Sequence, residues 1–180
     1  MLSYMINEHL SLRLPHQKDW EELLELVLAN RAHLQKEMHW VTDDYGPTDA
    51  QNGIQRGLQA YADQKGLKLF IVYDTKIIWI ISLMGIDKEN RNAEVGYWIG
   101  EQYQGKGLMT LALQAIIDIA FKELKLVRLG LRVSDRNIGS ARVAEKCGFT
   151  YEWLIKKDYL LKWVFEDSLL YGLINPHLSF

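Results

Sequence analysis

Between Tyr97 and Thr110 the chain reads Tyr-Trp-Ile-Gly-Glu-Gln-Tyr-Gln-Gly-Lys-Gly-Leu-Met-Thr, and no other stretch constrains the fold as much. An apolar run, Ala93 to Gly100, comes to an end. Gly105 and Gly107 then bracket Lys106, and a helix-periodic segment begins. Glycine lets the backbone turn its N–H groups inward and come close to a ligand. A helix start adds N–H donors without intrahelical partners and the positive end of the helix dipole. Strand, glycine turn and helix together predict a site for a phosphate or pyrophosphate. The remaining chain then supplies scaffold and a second substrate site.

The 180 residues suffice for one domain, 1–180, with a proper core. His9 to Leu14 alternates as a half-buried strand, ended by Pro15. Asp19 is placed to cap a helix whose apolar face is Trp20, Leu23, Leu24, Val27 and Leu28, running to about Ala32. His33 to Pro47 reads as a loop or broken helix, and a surface helix follows from Thr48-Asp49 to about Gln64. Lys68 to Tyr73, Lys76 to Ile86 and Ala93 to Gly100 form a meander. Its middle strand is apolar on both faces and therefore central. A helix over Gly107 to Glu123 leads to the alternating strand Val127 to Val133. That strand–helix–strand order requires a crossover and hence a parallel pair. A short helix, Ile138 to Lys146, stops at Gly148. Phe149 to Lys157 and Tyr159 to Leu173 close the sheet, with Asp158 at the start of the closing hairpin. The fold class is thus α/β (α+β).

Several functions are disfavoured. Net charge is −2 and the basic residues never form a stripe, so no nucleic acid is expected. The single cysteine, Cys147, permits no internal disulfide and fits a cytoplasmic setting. Met1 to Leu14 lacks a signal-peptide layout, and Ile77 to Ile86 is too short to span a bilayer. His33, His39 and His177 have no metal-ligand spacing, so no metal is expected. Isolated glycines can simply satisfy loop geometry. Gly100 to Lys106 also spells a P-loop, but Gly107 follows where a Ser or Thr hydroxyl should hold magnesium.

Context favours another reading. Gln104-Gly105-Lys106-Gly107-Leu108-Met109 opens a helix, Asn137-Ile138-Gly139-Ser140 follows some thirty residues on, and then comes Glu145-Lys146-Cys147-Gly148-Phe149. These three motifs, in this order, resemble the GCN5-related N-acetyltransferase (GNAT) family. Within it they are most similar to the ribosomal-protein N-terminal acetylases of the RimL/RimJ group, as is Glu94 to Gly100. The sixth loop position, Met109, departs from the usual Gly or Ala. The resemblance implies a mixed, mostly antiparallel, twisted sheet flanked by helices. It also implies direct acetyl transfer from acetyl-CoA to a primary amine.

By the same resemblance, the N–H groups of Gly105, Lys106, Gly107, Leu108 and Met109, with Gln104 and the Thr110 hydroxyl, receive the cofactor's pyrophosphate. Trp98 and Ile99 pair with the pantetheine arm, and a backbone N–H there polarises the thioester. Asn137 hydrogen-bonds the arm, and Lys146 or Arg142 meets a phosphate. Ala144 occupies the position where many relatives carry a tyrosine acid, which leaves Ser140 to assist the departing sulfur. Ser140 alternatively only caps its helix. Glu94 and Asp158 are the candidate bases. An α-amine, with pKa ~7.7–8.0, demands less of a base than a lysine near 10.4, which favours a protein N-terminus as acceptor. His39 and Trp40, with Glu37, Asp43 and Asp44, rim the acceptor side, although Trp40 serves equally as a core plug. The alternatives are a small-amine acetyltransferase, acting on a polyamine or antibiotic, and a non-catalytic acyl-CoA-binding regulator. Tyr159 to Leu161 and Trp163 to Phe165 are apolar enough to permit a homodimer.

Overall fold

The strand that is apolar on both faces lies in the middle of the sheet. The computed structural model describes residues 3–177, the side chain of Ile99 excepted. β4 (Lys76–Asp87) pairs antiparallel with β3 (Gly66–Tyr73) on one side and with β5 (Asn92–Ile99) on the other. On the β3 side the sheet continues through β2 (Leu10–Arg13) to β1 (Ser3–Met5), a strand the alternation had not revealed. Beyond β5 lies β6 (Arg128–Ser134), in the expected parallel pairing. β8 (Val164–Ile174) follows, and β7 (Thr150–Leu161) forms the edge. The order is β1-β2-β3-β4-β5-β6-β8-β7, and every other neighbouring pair is antiparallel.

Each face of this sheet has its own apolar cluster. On one, α4 (Leu108–Asp118) and α5 (Ile138–Lys146) cover Leu69, Ile81, Val95, Leu131 and Val133. On the other, α1 (Trp20–Ala29), α2 (Arg31–Leu34) and α3 (Pro47–Ala62) cover Phe70, Ile77, Ile80 and Trp98. Alternation along β5 sends Val95 to the first cluster and Trp98 to the second. α3 approaches β3 at Gly57, where a Cβ would fall 2.8 Å from the Lys68 side chain.

Four boundaries differ from the sequence expectation. The first helix ends at Ala29, and Asn30 turns the chain into the separate α2. Asp19 makes no cap bond to that helix. Its carboxylate accepts from the His16 N–H and from Arg13, both at 2.6 Å, and so holds the preceding 3-10 turn. The helix after the glycine turn relaxes into a π-turn at Ile119–Glu123. Asp158 does not begin the closing hairpin. It lies within β7, where the pairing with β8 slips between Ile155 and Tyr159, and the turn falls at Lys162-Trp163. Trp163, 92% exposed, stands at that tip with Val164 and Phe165.

Candidate active site

β5 and β6 stay paired only from Asn92–Val95 against Arg128–Leu131. Beyond that, β5 continues on β4 to Ile99 and β6 continues on β8 to Ser134. The two strands therefore part, and a notch opens between Gly96–Ile99 and Arg132–Ser134. Its edges carry backbone groups without a strand partner, a row that an extended ligand can complete. The notch is continuous with a cleft of about 750 Å³ lined by Trp98, Asn137, Ser140, Arg132, Asp158 and Glu37, among others.

The glycine turn lies directly after β5. Gly105 and Gly107 have φ of +75° and +74°, the left-handed region that only glycine adopts freely. Among the described residues, the N–H groups of residues 105–110 donate to no backbone carbonyl. Gly107 is the N-cap of α4, so helix start and turn present their donors together. The Met109 side chain is 3% exposed and belongs to the core, so only its backbone faces the loop. That accounts for a large residue at this position. Lys106 stacks over Tyr103, its ammonium 5.5 Å from the ring centre. Lys146 is exposed in the last turn of α5.

Asn137 caps α5, its side-chain oxygen accepting from the Ser140 N–H at 3.0 Å. Ser140 is therefore not the cap, and its hydroxyl is left to the cleft. The Tyr97 hydroxyl donates to the Ser140 carbonyl at 3.1 Å and ties α5 to β5. Burial raises the Tyr97 pKa well above its usual value, so the phenol stays a neutral donor. Ala144 is fully buried, and burial pushes the Cys147 thiol up to about 11, which makes it a core residue rather than an acyl carrier.

Glu94 and Asp158 are brought together by a third residue. Arg132 donates to Glu94 and to Asp158, each at 3.1 Å, and Asp158 has a side chain only 13% exposed. Arg132 lies on the polar side of an alternating strand, so its polar placement was legible, but its partners depended on pairing register. Trp40, 37% exposed, packs its ring 6.2 Å from Trp98 and 5.8 Å from Tyr45. It thus both closes the core and faces the cleft, and the neighbouring His39 is exposed.

Asn30 is a further residue that sequence reasoning did not find. It is 4% exposed; its amide donates to the Leu26 carbonyl at 2.9 Å and accepts from the Glu101 N–H at 3.0 Å. The helix break thereby anchors the start of the glycine turn, and Gln104 meets His33 at 3.1 Å alongside. Asn30→Ala removes a buried side chain and both of its hydrogen bonds, so a loss of about 1–2 kcal/mol in folding stability is expected. Urea unfolding of the two proteins measures it.

A family model described as an acetyltransferase (GNAT) domain matches residues 9–150. The "Putative ribosomal N-acetyltransferase YdaF" of Bacillus subtilis (strain 168) is 33% identical over 179 residues, 97% of this chain and 96% of that protein. The ribosomal-protein-serine acetyltransferase of Escherichia coli (strain K12) is 29% identical over 171 residues, 94% of each. The solved structure of the microcin C7 self-immunity acetyltransferase MccE, in complex with acetyl-CoA and AMP, matches at a TM-score of 0.90 and 31% identity, covering 94% of each chain. With a parted parallel pair, a left-handed glycine turn and a family match across most of its length, the chain belongs to the GNAT family of acetyl-CoA-dependent N-acetyltransferases.

Proposed function

We propose that this enzyme acetylates the α-amine of a protein chain, with a ribosomal protein as the model substrate. The observation carrying the donor half is the parting of β5 from β6 just before a glycine turn whose amides have no backbone partner. In this reading the amides of residues 105–110, with Gln104 and the Thr110 hydroxyl, take the pyrophosphate. The free edge of β5 at Trp98 and Ile99 takes the pantetheine arm, Asn137 offers its side-chain amide to that arm, and Lys146 meets a phosphate. The names of two relatives support the acceptor half. So does a cleft rimmed by Glu37, His39 and Trp40, which suits a cationic chain end. Such ends are made in the cytoplasm, where we place the enzyme.

The amine nitrogen attacks the thioester carbon in a ternary complex; the C–N bond forms and the C–S bond breaks. One proton leaves the nitrogen for a base. The Ser140 hydroxyl hydrogen-bonds the departing sulfur as it becomes the thiol. Arg132 holds Glu94 and Asp158 in the same cleft, so these carboxylates set the charge around the incoming amine.

A screen with labelled acetyl-CoA tests the acceptor. Transfer to peptides with free N-termini is expected. Transfer confined to polyamines or aminoglycosides would instead make it a small-amine enzyme. Tight donor binding without turnover would make it a regulator.

A further inference from the structure

Four carboxylates line the cleft: Glu37, Asp49, Glu94 and Asp158. Asp49 accepts from the Gly46 N–H at the start of α3 (2.9 Å). Glu94 and Asp158 share the Arg132 guanidinium, each giving one oxygen to an ion pair. Glu37 forms no salt bridge among the described residues. Arg136, which faces it, is committed to Glu166 at 2.7 Å.

Glu37 is nevertheless held in place. It sits half-buried in the segment between α2 and α3, in the wall of the cleft beside Ser134, at the far end of β6. Tyr159 of β7 lies beside the same Ser134. Ser134 and Tyr159 line the cleft together with Ser140 and Trp98.

We propose that Glu37 is the group that takes the proton from the acceptor amine. The assignment rests on the reading of this cleft as the amine site. Desolvation supports it, raising the Glu37 pKa above the ordinary carboxylate value and so bringing it closer to a useful working range. The groups facing Glu37 have mixed signs. His33 of α2 and Arg136 before α5 favour its charged form, and Glu166 of β8 opposes it; Tyr159 of β7 completes the set. The proton balance is simple. An ammonium loses one proton to Glu37, which passes it to water. The neutral amine attacks, and its second proton ends on the CoA thiol.

The test compares the full-length wild type with Glu37→Gln on whichever amine the acceptor screen finds, with kcat and KM followed across pH. About a tenth of an α-amine of pKa ~8 is neutral at pH 7. Without its base the enzyme depends on that fraction, so kcat/KM for the amine is expected to fall about tenfold or more at pH 7. The deficit should close near pH 9.5, where the amine needs no base. KM for acetyl-CoA should stay unchanged, which shows that the variant is folded, and Glu37→Asp should recover part of the rate. Wild-type rates in Glu37→Gln at pH 7, or a loss independent of pH, would overturn the assignment alone. A wild-type chain that acetylates no amine would overturn the reading of the cleft as well.

Discussion

Replacing Gly107 with valine is expected to abolish donor binding, with CoA affinity falling by more than about 100-fold and the fold intact. The φ of +74° is one a β-branched residue adopts only with strain, on the order of 1–3 kcal/mol. A Cβ at this position meets nothing within 4 Å, so the substitution creates no clash inside the protein. Its methyl groups would instead occupy the open side of the turn, where the phosphates approach. If the backbone relaxed to relieve the strain, the N–H groups would turn away from the anion. Titration calorimetry with CoA, beside a thermal melt by circular dichroism, separates lost binding from lost folding. Affinity within a few-fold of wild type in a folded variant would remove the glycine turn from the donor site.

Ser140→Ala carries the second large effect, on chemistry rather than binding. The leaving thiolate has a pKa near 8.5, by analogy with cysteine, and gains from a donor. Ala144 supplies none, the buried Cys147 is remote from that role, and Tyr97 donates to the Ser140 carbonyl. Because Asn137 already caps α5, removing the Ser140 hydroxyl leaves the helix start intact. The turnover number should therefore drop roughly 100-fold, the scale of acid–base assistance, while CoA affinity stays near wild type. Unchanged turnover would sink the role.

The donor half of this site was legible because it is local. Gly105, Gly107, Asn137 and Ser140 lie in contiguous segments whose conformation follows from short-range rules about glycine and helix starts. The parallel pair was legible too, since a strand, a helix and another strand leave few topologies. The acceptor half was not, because it is assembled from distant segments. Arg132 reaches Glu94 and Asp158 only through the register of β5 with β6 and the slip in β7. Placing Asp158 at a hairpin start failed for that reason: a slip within a strand leaves little trace in alternation, whereas Lys162 and Trp163, with φ of +48° and +68°, make the turn without glycine. Glu37 looked like one acid among several near Trp40. Its distinction is its place in the wall of the cleft, which only the folded arrangement reveals. The break at Asn30 was hidden because apolar periodicity continues on either side of it.

Asn30 also bears on the order of events in a catalytic cycle. Its amide joins the last turn of α1 to Glu101, and Glu101 opens the segment that leads to the glycine turn. From Asn30 the chain runs through α2 into the segment bearing Glu37 and Trp40. The same side chain is therefore a shared hinge pin for the two halves of the cleft, and the Gln104–His33 contact is a second tie between them. These two contacts tie the start of the glycine turn to the segment that leads to Glu37 and Trp40. Filling of the first half by one substrate is expected to stiffen the second before its partner arrives, which makes the reaction sequential, with a preferred order of addition and a matching order of product release.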